Sequence, residues 1–166
     1  MSSRSRPAAG WPRRITDGEA GTEAVGAALA AALEPGDLLA LHGELGAGKT
    51  RLVRGLATGL GVRPEAVRSP TFVLHHVYRG GRIVLHHLDL YRLGEGADLR
   101  GLDLESLLDG GAVAIEWAEL GDLRALGPVH LTLEERGRER REIAIDPGAP
   151  ARLLAAFGTP AGGGPR

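Results

Sequence analysis

The sequence predicts an α/β domain built on a mixed, partly antiparallel sheet flanked by helices. Three observations carry this. A short apolar run, Leu38-Leu39-Ala40-Leu41, leads into a glycine-rich segment and is followed by a helical apolar pattern. A second apolar run, Ala112-Val113-Ala114-Ile115, has the same buried-strand character and ends at Glu116-Trp117. Two other stretches alternate about glycine-containing turns, the mark of antiparallel hairpins within what would otherwise be strand–helix alternation. At 166 residues the chain has room for one domain with a real core and little room for two.

The elements follow in order. Residues 1–14 are rich in Ser, Arg and Pro and read as a flexible tail. From Thr16 or Asp17 an N-capped, alanine-rich helix is expected to reach Leu33, with Val25, Ala28, Leu29, Ala32 and Leu33 on one stripe. Glu34-Pro35-Gly36-Asp37 is a turn, and the strand 38–41 follows it. After Thr50, Leu52, Val53, Leu56 and Leu60 fall at helical spacing, and the helix ends near Gly59 or Gly61.

Two β-rich runs, 69–78 and 83–89, flank Gly80-Gly81. A tight turn there places His75 opposite His86 and turns His76 and His87 to the other face. Residues 95–108 are loosely helical until Asp109-Gly110-Gly111 breaks the pattern. Residues 129–133 and 142–145 form a last hairpin about Arg136-Gly137. The end, 148–166, reads as a second tail in which Arg152–Phe157 forms at most one loose turn of helix. The folded domain is therefore expected to span 15–147.

Composition excludes several classes of function. The net charge of −1 argues against a histone-like nucleic-acid binder or a basic membrane-surface protein. The arginine run Arg136, Arg138, Arg140 and Arg141, interleaved with glutamates, reads as a solvated strand face. Without cysteine there is no disulfide framework, thiolate nucleophile or cysteine-ligated zinc. No apolar run approaches a membrane span, and the N-terminal residues lack the apolar segment of a secretory signal, so a cytoplasmic location is expected. Asparagine and glutamine are absent as well. Guanine-reading switch proteins use an N-K-x-D loop and often a water-orienting glutamine, which argues against a Ras-like protein and makes ATP the expected nucleotide.

The chemistry concentrates in Gly43-Glu44-Leu45-Gly46-Ala47-Gly48-Lys49-Thr50, which fits the phosphate-loop pattern G-x-x-x-x-G-K-[ST] without a mismatch. Lys49 is the only lysine in the chain. A compact ammonium reaches β- and γ-phosphates from a tightly wound loop, whereas a planar guanidinium is a bulky fork. Between a buried strand and a helix, such a loop aims backbone N–H groups and the positive end of the helix dipole at a phosphate. The fold expectation thereby narrows to a small P-loop NTPase. Hydrolysis needs more than the loop: a metal, groups to fix it and a group to orient water. Thr50 offers the magnesium-ligating hydroxyl. Asp89 and Glu116 each close an apolar strand, which in an open α/β sheet delivers side chains to the crevice at the strands' carboxyl ends. Either carboxylate can instead serve a structural ion pair with an arginine such as Arg92. Trp117 either borders the nucleotide or caps the core. His75 and His86 read as structural, since two facing histidines do not close a zinc site, while His87 shares its strand face with Asp89.

Taken together, G-E-L-G-A-G-K-T, S-P-T-F, H-L-D-L-Y-R-L and I-E-W-A-E, in this order and spacing, resemble the bacterial TsaE (YjeE) ATPases over roughly Ile15 to Ile145. The resemblance implies ATP and Mg2+ as cofactors. It further implies work with the partner subunits TsaB and TsaD on threonylcarbamoyladenosine at position 37 of tRNA, which is met indirectly through the complex. It carries Gly43 to Thr50, with Arg51, Thr71 and Trp117, to the nucleotide, and Thr50, Asp89 and Glu116 to the metal. Lys49, Asp89 and Glu116 take the catalytic roles. Ser69-Pro70-Thr71 matches a switch-like segment, and Gly137-Arg138 resembles a late Gly-Arg pair. Arg51 departs from the small hydroxyl residue found in many members. Two other readings stand beside this one: a small-molecule P-loop kinase, and a nucleotide-dependent switch that does not hydrolyse.

Overall fold

The computed structural model describes residues 7–67 and 74–158. The expected switch-like segment Ser69-Pro70-Thr71 lies outside the described residues. Along the chain, β1 (Arg13–Asp17), α1 (Gly18–Ala30), β2 (Leu38–His42) and α2 (Lys49–Gly59) come first. After them come β3 (His75–Tyr78), β4 (Val84–Asp89), α3 (Leu104–Gly110), β5 (Gly111–Glu116), β6 (Val129–Glu135), β7 (Arg140–Ile145) and α4 (Ala151–Gly158).

All five residues of β2 are buried, and so are all six of β5. Strands covered on both faces read as unbroken apolar runs, which is why these two were legible without alternation. They form the centre of a seven-stranded sheet in the order β1-β7-β6-β2-β5-β4-β3. The four inner strands β6, β2, β5 and β4 are parallel, and β7, β1 and β3 add antiparallel at the two flanks. The mixed sheet expected from the sequence is the one observed.

Side chains alternate across the sheet and build two cores. On one face Leu39, Leu41, Leu85 and Leu131 meet Val25 and Leu29 of α1, Leu52 and Leu56 of α2, and Leu153 and Phe157 of α4. On the other, Leu38, Ala40, Leu88, Val113 and Ile115 meet Leu104 of α3 and the short 3-10 turns that hold Ala118 and flank Leu123. Helices α1 and α2 approach closely because glycines stand at their crossing. A Cβ on Gly55 would overlap the Glu23 carbonyl oxygen, and one on Gly26 the Leu52 carbonyl oxygen.

Four sequence expectations are corrected. First, the N-terminal tail ends earlier than residue 14: Arg13 and Arg14 already pair with Ala144 and Ile143 of β7. Thr16 and Asp17 accordingly belong to a strand, and α1 runs only from Gly18 to Ala30. Second, part of the expected C-terminal tail is the helix α4. Its Leu153 and Phe157, four residues apart, are both buried against the first core. Arg152 locks it down, with Nη1 and Nη2 each 2.7 Å from an Asp37 carboxylate oxygen and Nη1 also donating to the Ala32 carbonyl at 2.6 Å. Two apolar residues on one face suffice once a bidentate pair anchors the first turn of the helix.

Third, the β3–β4 hairpin is wider than a two-residue turn allows. Tyr78 pairs with Leu85 and His75 with Leu88, so His75 is not opposite His86. The register is displaced by two residues, and an even displacement keeps every side chain on its expected face. His75 Nε2 therefore still reaches His86 Nδ1, diagonally, at 3.0 Å. Arg82, in the connection, instead caps carbonyls at the end of α1, donating to Ala30 and Leu33 oxygens at 2.7 Å each. Fourth, the loosely helical stretch 95–108 resolves into a 3-10 turn at Arg100–Leu102 and the short α3.

Two predictions follow from the packing. Gly55→Ala should lower the unfolding free energy by roughly 3 kcal/mol or more, because the clash is with backbone, which cannot rotate away. A fall in the urea midpoint at unchanged slope would register it. Burial holds the His75 and His86 imidazoles below their ordinary value of 6.5. Folding thus favours their neutral forms, and that contribution is present above 6.5 and lost as pH falls further. The melting temperature should fall between about pH 7.5 and about pH 5.5, and fall less in the His75→Gln/His86→Gln variant.

Candidate functional site

Residues 43–48 connect the end of β2 to the start of α2. The turn into the helix is made by Gly48 at φ 105°, a left-handed conformation that glycine adopts without a Cβ penalty. No side chain caps α2, and its first turn carries no acidic residue. Its N–H groups and the positive end of its dipole are thus left for an anion. Lys49 is buried, and its Nζ donates to the carbonyl oxygens of Gly43 and of Glu44, the latter at 3.0 Å. The same ammonium stands 4.1 Å from the centroid of the Trp117 ring. Burial lowers the Lys49 pKa, while the nearby charges of Glu116, Glu119, Asp89 and Glu44 pull it back up.

Strand register supplies the acidic wall. Leu41 of β2 pairs with Glu116 of β5, and Glu116 pairs with Asp89 of β4. The two carboxylates therefore end adjacent parallel strands side by side, on the face that carries α2. Glu116 is buried, and a single oxygen, Oε1, accepts from Thr50 Oγ1 at 2.8 Å and from His87 Nε2 at 2.8 Å. Asp89 is half-buried, and its Oδ1 accepts the Tyr91 backbone N–H at 2.9 Å. Its pKa is raised, first by burial and then by the neighbouring Glu116 charge, against the opposing Tyr91 hydrogen bond. Trp117 follows in a left-handed backbone conformation, φ 56°, with its ring 5.0 Å from that of Tyr91.

These residues enclose a cleft of about 440 Å³, lined by Leu45 to Arg51, Asp89, Glu116 and Trp117, together with Glu19, Tyr91 and Arg92. It gathers most of the residues singled out in the sequence. Gly43 and Glu44 line a smaller adjoining hollow beside Leu133. Arg51 points along the rim, in ion pairs with Glu19 at 2.9 Å and Glu23 at 3.1 Å. Arg138, beyond the left-handed Gly137, shares a shallow cavity with Gly46 and Gly48. Thr71 lies outside the described residues.

Three neighbours were missed by sequence reasoning. Tyr91 had a signal, an aromatic two residues beyond a strand-end aspartate. Glu19 had none. Glu119 became visible only through the backbone kink at Trp117, which turns it into a second cavity of about 650 Å³. There Glu119 Oε2 lies 3.2 Å from His42 Nδ1, and His42 Nε2 lies 2.8 Å from His130 Nδ1. Burial pulls the Glu119 pKa upward, but the His42 hydrogen bond and nearby positive charge outweigh it and hold it low.

The sequence profile of the family described as "Threonylcarbamoyl adenosine biosynthesis protein TsaE" matches residues 16–143. The chain belongs to the TsaE family. The matched stretch runs from the end of β1 into β7 and holds the whole cleft. The TsaE protein of Streptomyces coelicolor is 45% identical over 124 residues, covering 73% of this chain and 78% of that protein. The TsaE protein of Bacillus subtilis is 39% identical over 124 residues, covering 75% of this chain and 70% of its own length. The crystal structure of Bacillus subtilis YdiB superposes with a TM-score of 0.65 at 30% identity, over 84% of this chain and 87% of that one. The TsaE fold is thus the P-loop architecture expected from the sequence. No helix among the described residues is long and apolar enough to cross a membrane.

Proposed function

We propose that this protein is the ATPase subunit of the machinery that makes threonylcarbamoyladenosine at position 37 of tRNA. It acts in the cytoplasm with TsaB and TsaD and meets tRNA through that complex. The observation that carries the ATPase reading is the convergence of Lys49, Thr50, Asp89 and Glu116 on one cleft at the carboxyl ends of β2, β4 and β5. A binding module needs the loop alone. Two strand-end carboxylates beside the loop's threonine are the additional parts that hydrolysis requires.

Each residue then has a task. The loop N–H groups from Gly43 to Thr50 receive the phosphate oxygens, and Lys49 turns from the Gly43 and Glu44 carbonyls to the β- and γ-phosphates. Arg51 and Thr71 complete the nucleotide contacts, and Trp117, which already backs the lysine, forms the wall behind the phosphates. The Thr50 hydroxyl and the Asp89 and Glu116 carboxylates are a hard oxygen set suited to Mg2+. Burial first, and after it the neighbouring Glu116 charge, raise the Asp89 pKa, and a divalent cation would relieve that penalty on the ionised carboxylate. When bound, that ion supplies charge neutralisation between the phosphates. Glu116, held by Thr50 and His87, takes the water-orienting role, and Asp89 stands at the outer edge of the pair.

Lys49→Ala should weaken ATP binding roughly tenfold or more, as read by calorimetry. Glu116→Ala should keep nucleotide affinity within a few-fold and lose about a hundredfold in turnover. Equal turnover by Glu116→Ala and wild type would favour a switch that does not hydrolyse. Phosphate recovered on a metabolite rather than free would favour a kinase. In a reconstituted system, omitting this protein should abolish repeated rounds of tRNA modification by TsaB and TsaD. Undiminished modification would remove the tRNA assignment.

A further inference from the structure

The geometry points to His87 as the positioning residue that fixes the Glu116 carboxylate, and this rests on the water-orienting role proposed for Glu116. His87 is 1% exposed and Glu116 4% exposed, so both ends of their hydrogen bond are shut off from water. The strand register dictates the approach. His87 pairs with Ala114, and Asp89 pairs with Glu116. Residues two apart share a face, so His87 reaches Glu116 along the diagonal between β4 and β5.

A glutamate side chain has several free torsions, and one hydroxyl does not hold it in one orientation. Thr50 is also a poor sole anchor, because its oxygen is the group proposed to face the metal. The second donor comes from the core. His87 Nε2 lies 2.8 Å from the same Oε1 that accepts from Thr50, so the oxygen is held between α2 and β4. Such charge-assisted bonds are short and directional.

The other ring nitrogen argues against simple packing. His87 Nδ1 is buried with no hydrogen-bond partner among the described residues. His87 lines a cavity of about 240 Å³ with Val53, Val67, Tyr78, Thr50, Arg51 and Arg54, and a residue there only to cover the core would do better without a buried ring nitrogen left to satisfy. Nε2 is the ring nitrogen that has a partner, and that partner is the Glu116 carboxylate. A carboxylate acceptor requires the hydrogen on Nε2. His87 thus presents Nε2–H as the donor aimed at the site.

The first test needs no turnover. In the full chain labelled with 15N-histidine, at one fixed pH, long-range 1H–15N spectra should show a proton on His87 Nε2. The Nε2 signal should move in Glu116→Ala. An Nδ1–H tautomer, or an Nε2 signal indifferent to Glu116, would overturn the assignment. The second test is kinetic. His87→Leu should lower kcat for ATP by about 10- to 100-fold while KM stays within about threefold. His87→Gln, whose amide N–H₂ can occupy the Nε2 position, should recover most of that loss. Equal losses in both variants, or a loss confined to KM, would count against positioning. If His87→Leu does not fold, the tautomer and His87→Gln decide the matter. A wild-type protein that turns over no ATP would defeat the ATPase reading instead, and the spectra would still judge the His87–Glu116 bond.

Discussion

Leu41, Glu116 and Asp89 stand side by side because three parallel strands, β2, β5 and β4, are in register, and everything in the cleft depends on that alignment. A slip of one residue in either pairing would turn a carboxylate to the far face of the sheet, into the second core. The register is strongly enforced, since β2 and β5 are buried on both faces and any slip would misplace every apolar side chain they carry. Chemistry and stability are therefore specified by the same contacts. The loop contributes backbone groups whose position follows from where β2 ends and α2 begins, and α2 is seated by its close crossing with α1.

The two halves of the sheet are built on different terms. Its parallel centre is sealed by helices and turns on both sides, while the β6–β7–β1 flank carries an exposed face laced with ion pairs. Arg13 meets Glu142, Arg136 meets Glu134 and Glu142, and Arg140 meets Asp17. Such exposed pairs contribute little to stability. Of the arginine run read as a solvated strand face, Arg140 lies on this exposed strand face, whereas Arg136 and Arg138 belong to the connection before β7 and Arg141, on the opposite face, donates to the Gly46 carbonyl at 3.3 Å. Stability lies instead in the two apolar cores, with the half-buried bidentate Arg152–Asp37 pair fastening α4 to them.

The parts legible in the sequence share a property: their signal is local. The glycine loop, the fully buried strands 38–41 and 112–115 and the final hairpin each announce themselves within a few residues. What could not be read depends on partners distant in sequence. Arg13 to Asp17 is a strand only because β7 offers it an edge, and α4 is ordered only because Asp37 and the first core receive Arg152, Leu153 and Phe157. The hairpin register could not be read because its connection is longer than two residues and its Arg82 bonds to carbonyls at the end of α1, a partner distant in sequence. In the site, the residue types and their strand-end positions were readable. Their hydrogen bonds were not: that Thr50 and His87 share one oxygen of Glu116 follows from the pitch of two strands and a helix, which no spacing in the sequence encodes.

The solitary lysine has a practical meaning for anyone watching this protein at work. Lys49 carries the only side-chain amine in 166 residues, and it sits at the centre of the cleft. Selective isotopic labelling of lysine therefore yields one side-chain resonance, reporting on one place. No engineered tag or fluorophore is needed to follow occupancy of the loop. The molecule arrives with its own spectroscopic reporter, installed at the atom where a phosphate would be felt first.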